Sequence, residues 1–169
     1  MFRTSFDYTI LIDSREKEGA YSFPGIKTKI QKLEYGDYSL EGCEREIVIE
    51  RKSFTDFWNS LTKRQHQFFD ELTVMHNFRY PFLFLDCELR EYKDSGISQS
   101  SYNSLVGFIH KIFLDLRIPC YFVGNNGAFV AFRLFDQFWR KWKYLKKWLN
   151  LYSEFFLDLF GVYFSFCWH

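Results

Sequence analysis

A chain of 169 residues with a formal net charge of +1 has room for one domain with its own core, and no global positive field demands a polyanionic partner; a partner of that kind would need a local patch. Its four cysteines, Cys43, Cys87, Cys120 and Cys167, are scattered with no C-x-x-C pair, which fits neither a zinc site nor a disulfide framework and reads as reduced thiols in a cytoplasmic protein. The opening residues MFRTSFDYTI hold no apolar run of signal-peptide length, and the 22 Phe, 11 Tyr and 5 Trp read first as a ring-filled core.

Tyr8–Asp13 (YTILID) reads as a buried strand, Ser14–Gly25 as a loop and Lys27–Leu33 as a weakly alternating second strand. Asp37–Glu41 and Glu46–Arg51 form a hairpin around Gly42-Cys43. Ser53 opens a helix with Asp56 three residues on, as in a capping box, and Phe54, Phe57, Trp58 and Leu61 share one face. A second helix, Arg64–Met75, turns Phe68, Phe69 and Leu72 inward. Pro81–Asp86 (PFLFLD) reads as a central strand. Ser100–Leu116 is amphipathic through Leu105, Val106, Ile109, Ile112, Phe113 and Leu116; Pro119–Val123 is another strand, Gly124–Gly127 a turn, and a last helix runs from Ala128 towards Leu149. Hairpin strands followed by alternating helices and strands imply class α/β, a mixed central sheet flanked by helices.

The register of the hairpin follows from its pattern. Side chains alternate, so Ile47 and Ile49 share one face of the second strand, and Val48, Glu50 and Lys52 the other. A four-residue loop, Gly42–Arg45, sets Leu40 opposite Ile47 and Tyr38 opposite Ile49, and a one-residue slip would exchange every face. The same register sets Asp37 opposite Glu50, with Lys52 two residues further along that face.

Facing carboxylates repel unless a cation lies between them. Hard oxygen ligands of this kind suit Mg²⁺ or Mn²⁺, and a nearby lysine can orient an attacking water or steady a phosphorane. Asp13 ends a buried strand, where α/β sheets place function. On these residues alone, a solvated hairpin face with a Glu–Lys ladder explains the pattern equally well.

Ile12-Asp13-Ser14-Arg15-Glu16, then Gly36-Asp37-Tyr38, then Ile49-Glu50-Arg51-Lys52-Ser53-Phe54-Thr55-Asp56 resembles the XPF family of structure-specific endonucleases, whose signature is G-D, a variable gap, E-R-K-x-x-x-D and an upstream D-x-R-E. The resemblance covers about Thr9 to Lys147 and weakens after Asp56. It implies a restriction-endonuclease-like (PD-(D/E)xK) nuclease fold that cuts branched DNA with a divalent metal. It implies an active site built from Asp13, Asp37, Glu50, Arg51 and Lys52, with metal ligation by Asp37 and Glu50 supported by Asp13, catalysis by Lys52, and phosphate or structural roles for Arg15, Arg51 and Asp56. An ion pair of Arg51 with Asp56 or Glu16, and Asp56 as a helix N-terminal acid, are the plain alternatives. Phe68-x-x-Glu71-Leu72, Arg79-Tyr80-Pro81-Phe82 and Ile118-Pro119 resemble stand-alone bacterial and phage members. Those relatives carry an N-G-R type turn where this chain has Leu61-Thr62-Lys63-Arg64, so Arg64 is the substitute phosphate contact. Nothing here resembles a tandem helix-hairpin-helix module or a helicase domain.

Trp139–Trp148 interleaves cations with rings; Lys143 and Lys147 are candidate phosphate contacts, and an amphipathic helix with rings inward explains the same pattern. Leu151–His169 is nearly all apolar, too interrupted for a membrane span, and fits either a buried homodimer element, since family nuclease domains pair through their carboxyl-terminal helices, or a non-native end. The expectation is thus a nuclease domain over 1–149 and an apolar extension over 150–169. The enzyme expected is an intracellular, metal-dependent DNA endonuclease acting at branched or single-strand/double-strand boundaries in repair or recombination. A non-catalytic DNA-binding partner, and a resolvase or restriction-type nuclease on the same fold, are the rivals.

Overall fold

The computed structural model describes residues 6–16 and 19–160, with side chains described as far as Leu149. The strands are β1 (Thr9–Asp13), β2 (Lys27–Gln31), β3 (Tyr38–Leu40), β4 (Ile47–Ser53), β5 (Tyr80–Asp86) and β6 (Cys120–Phe122). Helices α1 (Phe54–Lys63) and α2 (Gln65–Met75) follow β4. Helices α3 (Leu89–Asp94) and α4 (Gln99–Leu116) follow β5, and a 3₁₀ turn (Gly124–Asn126) leads into α5 (Gly127–Phe160). The strands form one sheet in the order β2-β1-β3-β4-β5-β6. β1–β2, β4–β5 and β5–β6 are parallel; β1–β3 and β3–β4 are antiparallel. The mixed α/β sheet expected from the sequence is present.

The hairpin ladder pairs Tyr38 with Ile49 and Ser39 with Val48, the register set by the apolar alternation. β4 runs two residues further than expected, because Lys52 and Ser53 find parallel partners in Leu85 and Asp86. β5 lies between β4 and β6, and both its faces are covered, which accounts for the unbroken PFLFL run.

Helix burial follows the 3.6-residue period. Phe68, Leu72 and Met75 are buried on α2, and Leu105, Phe108, Ile112 and Leu116 on α4. These side chains join Val48, Phe57, Leu83, Leu85 and Tyr92 in one core cluster. Phe113, expected to point inward, is 56% exposed, since one residue past Ile112 is about 100° around the helix. α3 was not expected; it is short, and the reciprocal Glu88 and Glu91 capping box holds its start.

The chain divides into two units, Met1–Phe132 and Arg133–His169. In the second, α5 carries an Arg140–Asp136 pair at 3.0 Å, a stacked Phe138–Trp142 pair and Lys146 over the Trp142 ring. The side chains of 150–169, Cys167 included, lie outside the described residues. Among the described residues no helix is long and apolar enough to cross a membrane.

Candidate active site

The site begins at a glycine. Gly36 has φ +72°, and a Cβ there would come 2.2 Å from Val48 Cγ2, so only glycine lets the chain turn tightly onto β4. That turn delivers Asp37, whose N–H donates to the Ile49 carbonyl at 2.8 Å while its carbonyl accepts from the Asp13 N–H at 2.8 Å. Asp37 Oδ2 accepts from the Arg51 N–H at 2.7 Å, where the ladder would otherwise need another backbone acceptor. Burial first, then the Glu50 charge, pushes the Asp37 carboxyl up to about 7; Glu16 adds to this, and the Arg51 N–H and Lys52 oppose it.

β4 then sorts its side chains by alternation. Val48, Glu50 and Lys52 share the face on which Val48 meets the helical core. Lys52 Nζ donates to Glu50 Oε1 at 2.5 Å and lies 5.7 Å from the Phe68 ring centroid. Burial pulls the Lys52 pKa down, but the charges of Glu50, Asp37 and Glu71 outweigh it, and the ammonium is held more firmly than an ordinary lysine's.

Arg51 leaves the opposite face. Its Nη1 donates to Glu16 Oε1, its Nε to Asp86 Oδ2 at 2.5 Å, and its guanidinium lies 5.1 Å from the Tyr21 ring centroid. The Tyr21 hydroxyl donates to Asp86 Oδ1, its ring stacks on Tyr38 with centroids 4.9 Å apart, and its N–H donates to the Tyr38 hydroxyl at 2.9 Å. Burial, reinforced by Asp86, raises the Tyr21 pKa. Gly127 closes this corner, for a Cβ there would sit 2.0 Å from the Tyr21 hydroxyl.

Asp13 is fully buried at the end of β1. Its Oδ1 accepts from Arg15 N and Nε, both at 2.7 Å, and its Oδ2 accepts from Leu33 N at 2.6 Å and Arg15 Nη2 at 3.2 Å. Burial would raise its pKa, but Arg15 and the two backbone donors overcome that and lower it. Both oxygens expected to support a metal are therefore already engaged in tying the β1 exit to Leu33 and Arg15.

Among the candidates read from the sequence, the structure gathers Asp37, Glu50 and Lys52 on one hairpin; the Arg51 N–H donates to the Asp37 carboxylate and the Asp13 N–H to the Asp37 carbonyl. Asp56 sits in the first turn of α1, where Ser53 Oγ accepts its N–H at 3.1 Å and donates to its Oδ2 at 2.7 Å. Arg64 stands at the break between α1 and α2, with Nη2 3.3 Å from Ser60 Oγ. Lys143 and Lys147 are exposed, one turn apart on α5, in the second unit. Of the two alternatives for Arg51, the pair is with Glu16. Asp86 and Tyr21 were not anticipated. Asp86 had a signal, because it ends a buried strand as Asp13 does; Tyr21, from a loop, had none.

Two carboxylates with one oxygen each already hydrogen-bonded leave one oxygen each for a ligand. Among the described residues no cluster of three or more Asp, Glu, His or Cys side chains is poised to hold a metal. A two-carboxylate site fits Mg²⁺ or Mn²⁺, which keep several waters and share substrate oxygens, and a cation would offset both the burial and the Glu50 charge that raise the Asp37 pKa.

The family model described as "ERCC4 domain" matches residues 12–149. The fold is similar to XPF from Aeropyrum pernix, with TM-score 0.63 and 20% identity, over 91% of this chain and 82% of that one. It is also similar to the same protein solved in complex with DNA, with TM-score 0.61 and 20% identity, over 75% of this chain and 62% of that one. No curated protein matches the sequence. With the family model spanning the sheet from β1 onward and the hairpin within it, this chain belongs to the ERCC4 domain family.

Proposed function

We propose that the chain is a divalent-metal-dependent DNA endonuclease that hydrolyses phosphodiester bonds at branched or single-strand/double-strand boundaries. The observation that carries the reading is the juxtaposition of Asp37, Glu50 and Lys52. Burial and Glu50 push the Asp37 carboxyl to about 7, and the neighbouring ammonium stays charged. A purely structural hairpin gains nothing from that repulsion.

Asp37 and Glu50 hold the cation. When bound, it supplies Lewis acidity at the scissile phosphate. Lys52 Nζ, protonated and largely shielded from solvent, stabilises the negative charge that builds on the phosphoryl oxygens in the transition state. Arg51 is employed otherwise: paired with Glu16 and Asp86, it supports the strand that carries Glu50 and Lys52 and leaves phosphate contacts to Arg15, Arg64, Lys143 and Lys147. Asp13 supports in the same sense, by fixing Arg15 beside the site. Asp56 steadies the first turn of α1. The nuclease domain is taken as 1–149, with 150–169 as an extension and a candidate pairing element between copies.

The test is cleavage of labelled flap, fork, four-way junction and plain duplex DNA, with and without Mg²⁺ or Mn²⁺. Metal-dependent internal cuts near branches support the proposal. Metal-dependent binding or bending without cuts would favour the non-catalytic DNA-binding reading, and equal cutting of plain duplex the restriction-type one.

A further inference from the structure

Between the end of α1, the start of α2 and the start of α4 lies a cavity of about 240 Å³. Half-buried Trp58 and the buried residues Leu105 and Phe108 belong to its lining. Gln65, Ser101 and Ser104 bring amide and hydroxyl groups to it, and no lining residue, among those described, carries a charge. A phosphate or carboxylate would find no cation there, whereas a flat neutral ring with a hydrogen-bonding edge matches both kinds of wall. The volume is below the ~300 Å³ at which pockets for drug-sized ligands begin, and suits a single planar ring system.

The cavity is connected to the site through two rings. Phe108 stacks on Phe68 with centroids 6.3 Å apart, and Phe68 is the ring that carries Lys52 Nζ. Gln65 directly follows Arg64, the cation proposed to meet a phosphate. Ser104 Oγ donates to the Ser100 carbonyl at 3.0 Å, which leaves its lone pairs to accept from an amine.

We infer that this cavity receives one unpaired nucleobase of the DNA strand, its face against Trp58 and its edge met by Gln65 and Ser104. The inference takes its ligand class from the proposed DNA endonuclease activity, though not its chemistry. Base–aromatic stacking is tolerant of base identity, so the cavity selects unpaired over paired nucleotides rather than one base over another.

The experiment measures binding with metal withheld by chelation, so that no strand is cut. One probe is a fork with natural unpaired arms; the other is the same fork with abasic residues at the unpaired positions nearest the branch. The parent should bind the natural fork about tenfold more tightly than the abasic one. Trp58→Ala should lower natural-fork affinity to the abasic level without weakening abasic binding. Ser104→Trp, at an exposed position on α4, should do the same by filling the cavity, and serves if Trp58→Ala fails to fold. Equal affinity of the parent for the two forks, retention of the preference in Ser104→Trp, or no binding to either fork overturns the inference. Cleavage in Mg²⁺ is scored separately. A parent that prefers the natural fork yet never cuts keeps the nucleobase site and loses the endonuclease.

Discussion

Arg51 and Asp86 lie diagonally across the parallel strands β4 and β5, and the Arg51 Nε donates to Asp86 Oδ2 at 2.5 Å. With Glu16 on the other side, one guanidinium neutralises two carboxylates in a corner where its own side chain is only 17% exposed. Arg51→Ala leaves both acids without their cation, and should destabilise the protein by about 3 kcal/mol, the scale for breaking a largely buried pair. Arg51→Lys should recover little, because a single ammonium cannot reproduce the fork that reaches both partners. Urea unfolding of the three proteins without metal checks this; a loss under about 1 kcal/mol for Arg51→Ala would make the network a minor one.

Tyr21→Phe tests the far side of the same network. The phenyl ring keeps the stack on Tyr38, while the hydrogen bond to Asp86 Oδ1 is lost. The expected cost is about 1.5–3 kcal/mol, the range for a hydrogen bond to a charged group, towards its lower end because Asp86 keeps Arg51. The measurement is again urea unfolding. A cleavage rate that falls with unchanged DNA affinity would further identify Tyr21 as a positioning residue.

Asp37 sets a pH signature. Its folded pKa of about 7 lies above its ordinary 3.8, so the folded protein holds this proton more tightly than the unfolded chain does. The stability it contributes is fully present below about pH 3.8 and is lost as pH rises through 7. Asp37→Asn should therefore melt several degrees higher than the metal-free parent at pH 8, and the difference should vanish towards pH 4. Mn²⁺ should raise the melting temperature of the parent at pH 8 and leave the variant unmoved. Equal stabilisation of both by Mn²⁺ would remove Asp37 from the metal site.

Chemistry and grip should separate. Lys52→Ala is expected to lower the single-turnover rate by about 10²–10³ at saturating DNA, with affinity nearly intact, because the ammonium acts on charge that develops in the transition state. Arg64→Ala should weaken binding and flatten its salt dependence, while the rate at saturation survives. A Lys52→Ala protein that cuts at the parental rate once saturated would make Lys52 a phosphate anchor.

Some of this was legible in the chain and some was not. The alternation of IVIERK and the short Gly42–Arg45 loop constrain the hairpin register, so the placing of Asp37 opposite Glu50 could be read before any coordinates, whereas the Arg51 N–H bond to the Asp37 carboxylate could not. Ser53 and Asp56 likewise announced the start of α1. The bond from the Leu33 N–H to Asp13 Oδ2 was not legible, because Leu33 lies twenty residues away along a loop path no periodicity describes. Asp86 carried the same strand-end signal as Asp13 and could have been weighed. Its partner Tyr21 lies 65 residues away and comes from an aperiodic loop, so only the fold joins them. On α4, choosing Phe113 over Phe108 was a failure of phase: a residue either side of the stripe looks equally apolar in a chain so rich in rings.

The tight seat of Gly127 under Tyr21 restricts which sequences this protein can drift through. An added Cβ at Gly127 would overlap not only the Tyr21 hydroxyl but also the ring, 2.2 Å from Cζ and 2.6 Å from Cε1, so trimming Tyr21 to Phe makes no room for it. Only a much smaller residue at position 21 would, and that residue could no longer underlie Arg51 or hold Asp86. Compensation for a change at the head of α5 thus runs through the support of the proposed catalytic strand. In a library selected for cleavage, Gly127 and Tyr21 should vary together or stay as they are, although neither is proposed to touch DNA or metal.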